Sequence, residues 1–101
     1  MSACCTLHAG VRNCTITPAG HEYIGHKAET VSGRECQAWT AQSPHEHNFN
    51  EDHMFPDGSA QYAKNFCRNP ENGHVGLWCY TTDPEKRWEA CDVPTCGQST
   101  Y

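Results

Sequence analysis

Long hydrophobic runs are missing from this chain. No apolar stretch approaches the roughly 18 residues of a spanning helix, so no membrane-crossing segment is expected. Aliphatic residues are scarce too, with so little Leu, Ile and Val in 101 residues that burial alone cannot offset the chain's conformational entropy. Basic residues are few: seven Lys and Arg stand against twelve Asp and Glu, a formal charge of −5. Phosphate backbones are bound by clustered cations, so nucleic acid is not an expected partner. Seven histidines soften this below about pH 6. The start, Met1-Ser2-Ala3-Cys4, lacks the basic flank and apolar stretch of a signal peptide. The expectation is a mature form or an excised piece of a secreted protein. No Gly-x-Ser-x-Gly elbow occurs, nor the glycine-rich segment around the serine of trypsin-like proteases, so no enzyme is expected. No window shows a convincing 3.6-residue period, which argues against any long helix.

Cysteine is abundant instead. Eight of them stand at Cys4, Cys5, Cys14, Cys36, Cys67, Cys79, Cys91 and Cys96. That density belongs to a small secreted disulfide scaffold of one domain, since a cytosolic chain keeps its thiols reduced. Eight cysteines allow 105 pairings, and spacing alone does not choose among them. A zinc site would call for pairs such as Cys-x-x-Cys, and none occurs. Turn punctuation is heavy, as in Phe55-Pro56-Asp57-Gly58 and Asn69-Pro70. Between the turns, Leu77 to Thr82 and Arg87 to Cys91 read as strands of a β-hairpin closed by Asp83-Pro84-Glu85-Lys86. Residues 1–13 read as an N-terminal extension and 97–101 as a tail. Asn13-Cys14-Thr15 fits the N-glycosylation pattern, but a half-cystine in the middle makes it a poor acceptor.

Several motifs in order resemble a known family. They are Tyr23-Ile24-Gly25, Thr30 to Trp39, Ser43-Pro44-His45, Asn65-Phe66-Cys67-Arg68-Asn69-Pro70, Trp78 to Pro84, and Cys91 to Cys96. From Cys14 to Cys96 the chain resembles a kringle domain. The resemblance implies a small disulfide-rich fold, mostly loops with short antiparallel strands and hairpins and no long helix. It implies the pairing Cys14–Cys96, Cys36–Cys79 and Cys67–Cys91, nested loops of 83, 44 and 25 residues counting both ends. Cys4 and Cys5 fall outside the pattern. A vicinal bond or a partner in another chain or domain is open to them, and the even cysteine total favours Cys4–Cys5.

Kringles are binding modules. In the lysine-binding members an aromatic trough takes a lysine stem, two acids take its ammonium, and a base takes a carboxylate. By resemblance Trp78 and Trp88 are the walls, Tyr80 the floor and Arg87 the cationic end. The anionic end is reduced, with Glu71 at the first acidic position and Gly73 at the second. The stretch Glu46-His47-Asn48-Phe49 supplies no second cation. One missing charge-assisted bond costs about 1.5 to 3 kcal/mol, so lysine binding is expected to be weakened about ten-fold or more. Trp39 is expected in the core, and Asp83 is expected to fix the turn before Pro84. Leu77 replaces a usual proline, Tyr62 a usual core leucine, and the loop Asn50 to Lys64 is about two residues longer than is usual in the family. His45-Glu46-His47 and His53 form a histidine cluster of a kind that suits zinc or copper. Because Ser-Pro-His belongs to the motif, His45 is expected to make a structural hydrogen bond, and neither metal nor cofactor is expected. The leading expectation is an extracellular, monomeric interaction module. Its ligand would be a protein or peptide, engaged through a lysine or carboxylate-bearing group. The alternatives are a spacer within a larger secreted protease or receptor, and a free-standing secreted effector peptide.

Overall fold

With so few aliphatic residues, the core has to be built from sulfur and aromatic rings. The computed structural model describes residues 14–70 and 76–96. The expectations for Cys4, Cys5, Asn13, Glu71 and Gly73 fall outside the described residues. The buried cluster contains Tyr23, Trp39, Phe55, Trp78 and Tyr80 together with Cys36, Cys67 and Cys79. Leu77 is the one Leu, Ile or Val among the buried hydrophobic residues described.

The disulfides pair as Cys14–Cys96, Cys36–Cys79 and Cys67–Cys91. The two inner bridges pack against each other, with Cys36 Sγ 3.8 Å from Cys67 Sγ. These four sulfurs lie within 4.8 Å of one another, a spacing that suits a metal, but all are committed to disulfide bonds. The outer bridge closes the domain's ends. Thr15 N–H donates to the Pro94 carbonyl at 2.9 Å and Cys96 N–H to the Thr15 carbonyl at 2.7 Å.

The expected hairpin is present and shorter than the sequence runs. Strand β1, Trp78–Tyr80, pairs antiparallel with β2, Trp88–Ala90, in the register Trp78↔Ala90, Cys79↔Glu89 and Tyr80↔Trp88. The loop is fixed at Asp83. Its Oδ1 accepts the Glu85 amide at 2.9 Å and its Oδ2 accepts Arg34 Nε at 3.0 Å. Beneath the loop, the buried Thr81 hydroxyl accepts the Asp83 amide at 3.0 Å and donates to the Lys86 carbonyl. On its other edge β1 meets Arg68, the two residues Arg68 and Trp78 exchanging amide hydrogen bonds of 3.0 and 3.1 Å. Opposite facing residues across a pair share one side of the sheet, so Trp78, Tyr80 and Trp88 stand together.

One four-residue helix, α1 at Ala60–Ala63, is capped by Ser59, whose hydroxyl accepts the Tyr62 amide at 3.0 Å. It buries Ala60 and Ala63 and leaves Tyr62 67% exposed, so Tyr62 does not take the place of the usual core leucine. Leu77 does enter the core, 4% exposed, against Gly20. A Cβ at Gly20 would lie 2.9 Å from Thr15 and 3.1 Å from Leu77, and its φ of +74° is one that other residues rarely adopt.

Candidate ligand groove on the hairpin

The loop that matters most for the groove is held from a distance. Gln37 is 3% exposed. Its side chain brackets the loop that follows: Oε1 accepts the His45 amide at 3.0 Å, and Nε2 donates to the carbonyls of His45 at 2.9 Å and Ala41 at 3.0 Å. His45 Nε2 in turn bonds the Asp83 carbonyl at 2.9 Å, the structural role expected of it. This frame carries His47 onto the face of Tyr80. The two rings stack at 4.7 Å with 16° between their planes. His47 Nδ1 accepts the Phe49 amide at 3.0 Å, so the proton sits on Nε2 and points at the Ala41 carbonyl, 3.0 Å away. Both nitrogens of His47 are therefore engaged within the protein.

Phe49 follows, and its ring lies against the aromatic cluster. It meets Trp78 edge-to-face at 5.7 Å and Tyr80 at 6.4 Å. The sequence marks this residue only as part of a loop without a cation.

The four described residues assigned to the trough do come together. Trp78 lies 5.0 Å from Tyr80 and 5.9 Å from Trp88, ring centre to ring centre, and the Arg87 guanidinium sits 5.0 Å from the centre of the Tyr80 ring. Their exposure departs from the expectation of an open trough. Trp78 is 2% exposed and Tyr80 7%, whereas Trp88 is 42% exposed. Trp78 is packed among Trp39, Phe49 and Trp88, and its indole N–H donates to Asn69 Oδ1 at 3.3 Å. Tyr80 has His47 stacked on it and Arg87 beside it. What lies open is Trp88, Arg87 and a shallow concavity of about 550 Å³ lined by residues including Glu46, Phe49, Met54, Tyr80 and Arg87. Arg87 donates to the Glu46 backbone carbonyl at 2.8 Å, and Glu46 is the one acid among the described lining residues.

Electrostatics around the cluster favour a neutral His47. Burial of its ring lowers its pKa below the ordinary value of 6.5, and the Arg87 charge adds to this against the bond to Ala41. The unfolded chain then binds more protons than the folded one between the lowered and the ordinary value. His47 therefore contributes stability that is complete above pH 6.5 and is lost as pH falls through the lowered pKa. An NMR titration of the imidazole is expected to give a midpoint under 6.5, and a midpoint at or above that value contradicts this environment.

Trp39, expected in the core, is 1% exposed, and its indole donates to the Phe66 carbonyl at 2.7 Å. His53 Nδ1 lies 3.6 Å from the Glu51 carboxylate on exposed chain. Asp83 serves the turn and Arg34, and the Glu85 amide followed by Arg34 holds its carboxyl below the usual range.

The family model for the Kringle domain matches residues 14–96. The chain belongs to the kringle domain family. Kringle domains are in general protein-interaction modules without catalytic activity of their own, and their multiple disulfides are typical of extracellular proteins.

Proposed function

We propose that this kringle is a secreted, non-catalytic module that binds a protein or peptide partner through the surface formed by Trp88 and Arg87, and that it does not select lysine. The observation that carries this reading is a large aromatic side chain held 42% exposed next to an exposed guanidinium on a disulfide-braced hairpin. Trp and Arg are the residues on which binding energy concentrates at protein interfaces, because each offers broad contact area at a fixed geometry. A lysine side chain needs a methylene channel and a separate anionic pocket. The burial of Trp78 and Tyr80 takes away one wall and the floor of the channel, and Gly73 supplies no charge where the family has its second acid. Glu71 stands alone at that end in this reading.

The same burial favours a second reading, a spacer kringle without a ligand. Panning the intact chain against a random peptide library separates the two. Peptides recovered should lose about ten-fold or more in affinity on Arg87→Ala or Trp88→Ala, the effect of one charge-assisted bond or one anchor ring. Recovery of no peptide would favour the spacer, and peptides indifferent to both substitutions would overturn the Trp88–Arg87 surface.

A further inference from the structure

We infer that Phe49 is a built-in occupant of the groove: it fills the space that a ligand's apolar group would take, and it restricts the groove to partners that bring an aromatic ring beside a carboxylate. This rests on reading the hairpin face as a binding surface, and it names what that surface accepts.

Phe49 is half-buried and packs on the core from outside it. Its surroundings are those of a ring in an aromatic box. Trp78 meets it at 79° and 5.7 Å, Tyr80 at 39° and 6.4 Å, and His47 at 25° and 6.5 Å. Edge-to-face and tilted contacts of this kind satisfy the charge distribution of a second ring, which an alkyl stem does not reproduce. The box is thus shaped for an aromatic group, and the chain supplies one itself.

The occupant is also held so that it can leave. The loop is pinned through Gln37 as far as His45, and through Ala41 and Gln42 at His47, whose amide donates to Gln42 Oε1 at 2.8 Å. Beyond that point Phe49 belongs to no strand or helix, and its amide bond to His47 Nδ1 joins it to the frame. Segments with little regular hydrogen bonding open at low cost compared with global unfolding. Arg87 stands at the rim, 5.0 Å from the Tyr80 ring centre and exposed. A carboxylate carried beside an incoming ring meets that guanidinium when the ring replaces Phe49, whereas an alkylammonium meets the same positive charge.

The test uses the full disulfide-bonded chain, 3-phenylpropanoate and 6-aminohexanoate as probes, and the indole N–H signals of Trp78 and Trp88 as separate reporters. Phe49→Ala should vacate the box, as emptied apolar sites take up rings of matching size. It is expected to bind 3-phenylpropanoate about ten-fold more tightly than the parent chain, with movement of the Trp78 signal and a smaller gain for 6-aminohexanoate. Phe49→Leu, which keeps apolar bulk and guards against misfolding of the alanine variant, should fall between them. Equal affinity of the parent and both variants for 3-phenylpropanoate would overturn the inference, as would a Trp78 signal that stays still in all three. Library peptides that shift Trp88 but leave Trp78 still would sink the occupant and keep the binding surface. Uptake of the ring by Phe49→Ala, combined with library peptides indifferent to Trp88→Ala, would keep the occupant and sink the surface.

Discussion

Arg68→Ala lowers the free energy of unfolding by about 3 to 5 kcal/mol, the cost of leaving a buried charge without its partner. Arg68 is 1% exposed, an unusual place for a guanidinium. Its Nε and Nη2 donate to the two carboxylate oxygens of Asp57, each at 2.8 Å, in a two-pronged pair. Nη1 donates to the carbonyls of Gly25 at 2.8 Å and Cys67 at 2.7 Å. The guanidinium carbon also lies 5.4 Å from the Tyr23 ring centre and 5.3 Å from that of Phe66. One side chain thus ties two other segments, at Tyr23 to Gly25 and at Asp57, to the strand edge that places Trp78. Alanine leaves the Asp57 charge, two carbonyls and a cavity unsatisfied. Replacing both partners by apolar residues, as in Arg68→Met with Asp57→Leu, removes the stranded charge and should cost less than Arg68→Ala alone. Urea denaturation measures each variant. A loss for Arg68→Ala under about 1 kcal/mol, as at an exposed ion pair, would refute the account of this site.

The second large effect concerns the inner disulfides. Replacing Cys36 and Cys79 together by alanine opens a loop whose ends are 43 positions apart. The chain-entropy model gives about 4 kcal/mol for a loop of that size, and nesting within other bridges reduces it somewhat. Against this, Cys36 is 2% and Cys79 0% exposed, and their sulfurs pack on the Cys67–Cys91 bridge, so the substitution also empties core volume. Domains of this kind have about 5 to 15 kcal/mol of net stability in all. The double variant is expected to be largely unfolded at 37 °C. Near-UV circular dichroism, dominated here by the packed tryptophans, should collapse. A folded variant with a stability loss under about 1 kcal/mol would show that the aromatic core stands without the bridge.

The pairing of the cysteines was legible from the motifs around them, and the hairpin from its β-branched and aromatic runs either side of Asp83-Pro84. Trp39 could be assigned to the core because its surrounding motif is shared. The exposure of Trp78 and Tyr80 could not be read in the same way. All three residues of β1 are buried, while β2 alternates between exposed and half-buried. A strand covered on both faces carries no period-two signal to say which side meets solvent. Arg68 and Asp57 look like ordinary solvated charges in sequence, because nothing local shows that residues eleven positions apart meet in the interior. Phe49 was hidden for a similar reason. Its place depends on Gln37 bracketing a loop eight residues further on, a contact between a polar side chain and backbone that leaves no hydrophobic pattern. The signal available was compositional: a phenylalanine in a polar loop, where the resemblance led one to look for a cation.

On the reading proposed above, this kringle's aromatic groove is closed to ω-amino acids by its own side chains. Titrating the intact, disulfide-bonded chain with 6-aminohexanoate, while following the indole N–H signals of Trp78 and Trp88, tests it most directly. The account predicts no saturation below about 1 mM, which is a binding free energy no better than about −4 kcal/mol. Saturation at micromolar concentration, with the Trp78 signal moving, would contradict it.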